Sequence, residues 1–536
     1  MKVIRSGKVA SAWLTAGLAG ALSVASVASV AAATDEPRPN IVVILADDLG
    51  FSDIGSYGGE IRTPNLDRLA SEGLRFSRFY NCALCGPSRA ALMTGLQPHD
   101  AGITDWTGLL SGHSVTIFEL LKRAGYATCA VGRLDMVTAE NWHDPAKIGR
   151  HVDRFFGTTG HKGPGNYFKD VRNTDFFRDG EPYSIPEGGY KTDLITDFAV
   201  DFIHDSDRGE PFFLYLSHYA PHWPLHAKPG DIAKYRSAYR ELGWDRARER
   251  RMERLVSLGV VPPGTRPAPR DARAVPWEDS KYQDWEAERM AVYAAQVDSL
   301  DQSVGRVMAA LEAAGAEQDT LVLFLSDNGA AETAVGDLDK PGETWRSDGV
   351  ATRSGNRPDV MPGPADTFQT AGPAWSGLSN TPFREHKRTA YEGGIASPLI
   401  ARWPEGIKER GQWTRELTPI TDLPATLLDL AGVEYPDRFD DRTLLPIAGK
   451  SLLPLFRDGA RDGHGALFWS ISGHRAVREG DWKLVSPKDP PKESPWELYD
   501  LSRDPTELND LAAAEPDRVR RMETLFLKWK NDPPAP

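Results

Sequence analysis

The chain has 536 residues, 40% hydrophobic and 26% charged, with a formal net charge of −13. This size and balance suit one large α/β domain with a smaller companion and exclude a disordered or fibrous chain. The acidic balance argues against nucleic acid as a partner, so any anionic substrate must be held by a local cluster of cations.

The N-terminus reads as a secretory leader. Lys2, Arg5 and Lys8 precede an uncharged Ala/Leu/Val/Ser stretch, Ala10 to Val30, that ends in Ala31-Ala32-Ala33. Residues 1–33 are expected to be a cleaved signal peptide, and an uncleaved anchor helix is the alternative for a stretch of this length. The weak apolarity of the stretch favours cleavage, which implies a periplasmic or secreted protein without stable membrane insertion. Cleavage removes three cations and no acid, taking the charge from −13 to −16.

Asn40-Ile41-Val42-Val43-Ile44-Leu45-Ala46 predicts a strand buried on both faces. Thr63-Pro64 opens a helix, and Pro87 suits the first position of another that continues through Ala90-Ala91-Leu92-Met93. Ile117, Leu120, Leu121 and Ala124 share a helical face, with Thr116 and Glu119 as a capping box and Gly125 as the stop. A weaker strand follows at Thr128 to Val131. Ile195, Phe198, Ala199 and Phe202 form a second stripe before a strand at Phe212 to Leu216. Val297, Leu300, Val304, Val307 and Leu311 mark a long helix before the Leu321 to Leu325 strand, and Pro398 to Ala401 is a further weak strand. Strands alternating with helices imply a mostly parallel sheet covered on both faces. Residues 228–281 and 329–385 read as inserted loops, the expected seat of specificity. From about residue 445 the pattern changes to short strands, Arg475 to Val477, Trp482 to Val485 and Trp496 to Leu501. A helix with Val519, Met522, Phe526 and Trp529 on one face closes the chain. The expected division is therefore an α/β catalytic domain over 34–444 and a small α+β subdomain over 445–536.

Cys85-Gly86-Pro87-Ser88-Arg89 sets a thiol and a cation at a helix start, where unpaired N–H groups and the helix dipole favour negative charge. That suits an activated nucleophile handling an anion, against the plain reading of a buried cysteine. With Cys82 and Cys129 there are three cysteines, too few for a disulfide framework. Cys82-x-x-Cys85 also has redox-pair spacing, but no compact thioredoxin-sized unit surrounds it. Asp47-Asp48 and Asp327-Asn328 each follow a buried strand directly, at the end where open α/β sheets bind ligands. Either pair alone is equally well a turn or cap. Together they form an oxygen-rich site for a hard cation, and the lack of adjacent histidines disfavours paired zinc ions.

The C-x-P-S-R pattern, with Asn81-Cys82-Ala83-Leu84 before it and Ala90 to Gly95 after, resembles the maturation motif of the type I sulfatases, whose cysteine is oxidised enzymatically to formylglycine. The resemblance extends over nearly the whole mature chain. It implies an alkaline-phosphatase-like fold and hydrolysis of a small-molecule or glycan sulfate ester. Asp47, Asp48, Asp327, Asn328 and residue 85 stand at the family's calcium ligands, with Ca²⁺ favoured over Mg²⁺. A formylglycine-generating enzyme is implied as a maturation partner. By the family mechanism a hydrated aldehyde at position 85 attacks sulfur, and Arg89, Arg133 and Lys387 hold the sulfate oxygens. His222, in Ala220-Pro221-His222-Trp223, or Lys387, five residues before Glu392-Gly393-Gly394, protonates the departing alcohol. No comparable role falls to His218, His226 or His99.

One segment departs from the family. Gly132-Arg133-Leu134-Asp135 stands where relatives carry Gly-Lys-Trp-His. Arg133 can clamp an anion in place of the lysine. For the missing histidine three readings stay open: Asp135 as the base, His143 swung into its place, or loss of normal turnover. A phosphodiester or phosphonate monoester hydrolase, and a catalytically weakened binder of sulfated glycans, are the corresponding alternatives for function.

Overall fold

Successive residues of the strand Asn40–Asp47 bury into two separate cores. Ile41, Val43 and Leu45 face one and Val42, Ile44 and Ala46 the other. The strand Thr320–Ser326 divides in the same way, Leu321, Leu323 and Leu325 opposing Val322 and Phe324. This explains the unbroken apolar runs in the sequence, since each such side chain is worth about 1.5–3 kcal/mol when buried on either face. The computed structural model describes residues 38–105, 108–135, 151–160, 165–168, 176–206, 209–333, 352–487 and 495–531. The leader and His143 lie outside them.

Ten strands form the main sheet. In spatial order they are Gln412–Thr414, Leu74–Phe76, Leu399–Arg402, Thr320–Ser326, Asn40–Asp47, Phe212–Pro221, Ala127–Arg133, Arg154–Thr158, Phe176–Arg178 and Glu181–Pro182. The five from Thr320–Ser326 to Arg154–Thr158 are mutually parallel, whereas Leu399–Arg402 runs antiparallel to both its neighbours. One face carries the helices Lys191–Asp205 and Gln283–Ala313. The other carries Cys85–Thr94, Ile117–Arg123 and Asp422–Leu430. This is the α/β fold expected from the sequence, and among the described residues no helix is long and apolar enough to cross a membrane.

Local chemistry accounts for most helix ends. The capping box at Ile117–Arg123 is present, with Glu119 N–H donating to Thr116 Oγ1 (3.3 Å) and Thr116 N–H to Glu119 Oε2 (2.9 Å). Two expectations need correction. Helix Pro64–Glu72 is not capped by the Thr63 side chain. The carboxylate of Asp301, on the long helix, accepts from the N–H groups of Asn65 (3.3 Å) and Leu66 (2.8 Å) instead. Helix Cys85–Thr94 starts two residues before Pro87. The Leu84 carbonyl accepts its first bond, from Ser88 N–H, and Pro87 still lies in the turn where no N–H is needed.

The segment 228–281 is also not a loop. It contains the helix Pro229–Ile232 and a 22-residue helical segment, Arg236–Ser257, kinked at Gly243, that packs along Gln283–Ala313 and buries Tyr239, Trp244, Arg251 and Leu255. Charge alternation along its outer face had masked that buried stripe. Of the region 329–385, the described part holds the helix Gly372–Ser379 and a two-residue parallel ladder, Arg353–Ser354 with Thr367–Phe368.

The last strands form an antiparallel sheet in chain order, Leu467–Ile471, His474–Glu479, Trp482–Ser486 and Glu497–Asp500, the first of which the sequence reading missed. Helix Pro516–Asn531 covers it through Met522 and Phe526. This sheet joins the main body through a buried polar cluster. Lys483 Nζ donates to Glu392 Oε1 (2.8 Å) and lies 2.7 Å from Glu507 Oε1, while Arg478 Nη1 donates to Tyr80 Oη and Tyr80 O–H to Glu392 Oε2 (2.8 Å). Burial, opposed by Lys483 and reinforced by Glu392, pushes Glu507 up to about 7. Beside it Trp469 Nε1–H donates to the carbonyl of Asn81 (2.9 Å), four residues before Cys85. Removing the ammonium strands two buried carboxylates, so Lys483→Met is expected to cost about 3–5 kcal/mol and lower the thermal midpoint by about 3–5 °C. Calorimetry showing an unchanged midpoint would contradict this account of the junction.

Candidate active site

Four parallel strands deliver polar side chains from their carboxyl ends to one place. Asp47 closes the first strand and Asp48 follows it; Asp327 and Asn328 follow Thr320–Ser326; Arg133 closes Ala127–Arg133; His222 follows Phe212–Pro221. Helix Cys85–Thr94 adds residue 85 and Arg89, and the turn before Glu392–Ile395 adds Lys387. Gly132 makes the approach possible, because at its φ of +90° a Cβ would overlap the Ser217 carbonyl. Every one of these side chains is buried.

Four carboxylates, Asp47, Asp48, Asp135 and Asp327, meet three cations. Arg89 Nε and Nη2 both donate to Asp327 Oδ2 (3.0 and 2.8 Å), and Nη1 donates to Ser217 Oγ and the Arg133 carbonyl (both 2.5 Å). Nη2 also lies 3.5 Å from Asp47 Oδ2. Four of its five N–H groups are thereby occupied by protein acceptors, and Arg89 braces Asp327. Arg133 is also buried, and its Nε has no acceptor. Nη1 donates to Asp47 Oδ2, and Nη2 donates to Asp135 Oδ2 (2.9 Å) and lies 3.6 Å from Cys85 Sγ. Lys387 Nζ donates to Asp48 Oδ1.

These contacts set the charge states. Burial works against ionising Asp48, but His222 and Lys387 hold its carboxyl down to about 2. Burial and the neighbouring Asp47 push Asp327 up to about 7, against Arg89. Lys387 is held charged, its ordinary value raised by Asp48 despite burial. Burial lowers His222, with Asp48 opposing. The His222 Nδ1 lies 2.6 Å from the Trp223 carbonyl, which can only accept, so the neutral ring carries its proton on Nδ1. Its Nε2 lies 3.4 Å from Asp48 Oδ2.

Cys85 is 4% exposed, and burial pushes its thiol up to about 12, against the pull of Lys387 and Arg133. Burial thus opposes the helix start, which by itself favours the thiolate. Cys82 and Cys129 are free thiols.

Three buried oxygens in this cluster accept no hydrogen bond: Asp47 Oδ1, Asp48 Oδ2 and Asn328 Oδ1. Such atoms are costly without a partner. Asp47, Asp48 and His222 place ligand atoms within 4.8 Å of one another. An excess of carboxylate over cation, with unpartnered oxygen donors, fits a divalent ion.

The other candidates fall elsewhere. His218 is turned to Ser303 Oγ (3.2 Å), and burial lowers it to about 3. His226 Nε2 bonds the Thr367 carbonyl (2.7 Å), and His99 packs on Trp529. Sequence reasoning missed Ser217, which fixes Arg89, and Ser326, whose Oγ accepts from Leu49 N–H (3.1 Å) and donates to the Asn328 carbonyl (2.9 Å). A serine inside an apolar strand is the only local signal either one gives.

Carboxylates with unpartnered oxygens at parallel strand ends, a cysteine at a helix start and two cations beside it are groups of the kind that a hydrolase of anionic esters needs. A family model described as Sulfatase matches residues 39–433, and one described as N-sulphoglucosamine sulphohydrolase, C-terminal, matches residues 384–525. The chain is 30% identical over 443 residues to an arylsulfatase of Klebsiella aerogenes, covering 78% of this chain and 92% of that one. It is 26% identical over 580 residues to an N-acetylglucosamine-6-O-sulfatase of Bacteroides thetaiotaomicron, covering 96% and 90%. The crystal structure of Ps i-CgsB in complex with k-i-k-neocarrahexaose has the same fold, with a TM-score of 0.65 at 24% identity over 92% and 93% of the two chains. The chain belongs to the sulfatase family and is a sulfuric ester hydrolase.

At a hundredfold excess over its Kd, a bound divalent cation is expected to raise the thermal midpoint by about 2–3 °C, and Asp48→Asn to remove most of that rise. Equal midpoints with Ca²⁺, Mg²⁺ and chelator would show that the unpartnered oxygens hold no cation.

Proposed function

We propose that the protein hydrolyses a sulfate ester of a glycan, using a formylglycine formed from Cys85 and a calcium ion held by Asp47, Asp48, Asp327, Asn328 and residue 85. The observation that carries this reading is the position of residue 85, within reach of Arg133 and beside Lys387, with a thiol too weakly acidic to react as it stands. A hydrated aldehyde supplies what the thiol cannot, one hydroxyl to attack sulfur and a second whose ionisation releases sulfate. Calcium suits the oxygen donors and offsets charge on the sulfate oxygens.

The chain's own residues do the remaining work. Lys387 is the charged proton carrier at the site and is placed to donate to the departing alcohol oxygen. Arg133 orients residue 85 and presents a guanidinium edge to the sulfate. Asp135 Oδ2 shares Arg133 Nη2 with residue 85, which supports this carboxylate as the proton acceptor there. Arg89 and Ser217 keep Asp327 turned into the site. His222 Nε2 offers a lone pair to the cation or to a substrate hydroxyl.

The substrate class rests on relatives. One is named for the 6-O-sulfate of N-acetylglucosamine, and a structural neighbour was crystallised with k-i-k-neocarrahexaose. Residues 1–33 act as the leader that directs the chain to the periplasm or outside the cell. Cys85 to Arg89 are buried in the folded chain, so the formylglycine-generating enzyme acts before folding is complete.

The test is sulfate release from N-acetylglucosamine 6-sulfate and from an aryl sulfate, against phosphate release from the matching aryl phosphate. Sulfate esters are expected to turn over faster; preference for phosphate overturns the assignment. Cys85→Ala is expected to lower kcat by more than about 10³-fold while leaving the fold intact. Asp135→Asn is expected to lower kcat by about 10²-fold or more with little change in KM. If Asp135→Asn keeps full kcat, the base lies elsewhere.

A further inference from the structure

A second charged cluster, which the chemistry above does not use, lies behind the Asp47–Asp48 pair. Asp48 sits at a φ of +66°, in the left-handed region that is uncommon for non-glycine residues. Three successive backbone N–H groups are held by side chains. Asp48 N–H donates to Asp327 Oδ1 (3.2 Å), Leu49 N–H to Ser326 Oγ (3.1 Å) and Gly50 N–H to Asp53 Oδ2 (2.8 Å).

Asp53 is fixed from two sides. Tyr293 O–H donates to its Oδ2 (2.7 Å), and Arg251 Nη1 to its Oδ1 (2.8 Å). Arg251 also donates through Nε and Nη2 to the two oxygens of Glu60 (both 2.8 Å). The side chains of Arg251 and Asp53 are wholly removed from solvent. A guanidinium can bridge two carboxylates in a fixed plane, which an ammonium cannot. Arg251 reaches this position from helix Arg236–Ser257, far along the chain from the strand end it supports.

We infer that Arg251 is a positioning residue for the cation site. It holds Asp53 in the orientation that accepts from Gly50 N–H, and so keeps Asp48 in the backbone conformation that turns its carboxylate into the site. The segment 228–281 thus serves the cation centre from behind. This inference rests on the cation-site reading above. A purely structural role for Arg251 makes a different prediction, lower stability with unchanged cation affinity.

The test is calcium binding by isothermal titration calorimetry on chelator-stripped protein, with the thermal midpoint of each variant measured in chelator. Arg251→Met combined with Glu60→Gln removes the guanidinium without stranding Glu60. Its Kd for Ca²⁺ is expected to rise about tenfold or more, the usual cost of losing a support behind a metal ligand. Arg251→Lys is expected to weaken binding less. Leu255→Ala, a cavity on the same helix, is expected to lower the midpoint and leave the Kd unchanged. Tyr293→Phe, which removes the hydroxyl that donates to Asp53 Oδ2 (2.7 Å) and lies 3.3 Å from the Asp48 carbonyl, is expected to weaken binding and serves if the double variant does not fold. An unchanged Kd in the double variant, or in Tyr293→Phe where it serves, overturns the inference, as does an equal loss in Leu255→Ala. Wild-type protein that binds no Ca²⁺ overturns the cation-site reading, and the inference falls with it.

Discussion

Four carboxylates buried together at the ends of the central strands are the constraint on which the rest of this structure depends. Left unpaired, each would cost several kcal/mol or give up its charge. The fold answers with cations drawn from separate elements, Arg89 from the nucleophile helix, Arg133 from a strand end and Lys387 from a turn some sixty residues beyond Asp327. Division of labour follows from how many donors each cation has left. Arg89 gives four of its five N–H groups to protein acceptors and braces Asp327, while Arg133, whose Nε has no acceptor, and Lys387 border residue 85.

The departure at Arg133 and Asp135 looks different once the contacts are known. Where the resemblance leads one to expect a lysine and a histidine, this chain has a guanidinium and a carboxylate bonded to each other at 2.9 Å. A planar guanidinium can reach Asp47, Asp135 and residue 85 together, whereas an ammonium acts as a point charge. The two exchanged residues are therefore paired with each other, with the cation beside residue 85 and the carboxylate next to it.

Much of this was legible in the sequence because it was local. The apolar runs of the central strands, the Thr116–Glu119 capping box and the acids just beyond strand ends depend only on neighbours in the chain. What was not legible depended on distant partners. Nothing near Arg89 says that Ser217 and the Arg133 carbonyl take its N–H groups. Nothing near Thr63 says that Asp301 caps the helix in its place. The buried stripe of Arg236–Ser257 was hidden by its charged outer face, and the Cys85 pKa turns on burial, which no local pattern reports. Trp469 and Lys483 likewise tie the C-terminal sheet to Asn81 and Glu392 across long separations.

The most direct test of the central claim is the mass of the tryptic peptide Phe79–Arg89 from protein purified from its native source. A formylglycine nucleophile predicts the mass of an aldehyde side chain at position 85 in place of the thiol. An intact thiol in active protein would contradict it, because burial leaves that sulfur protonated at neutral pH and without the means to attack a sulfate ester.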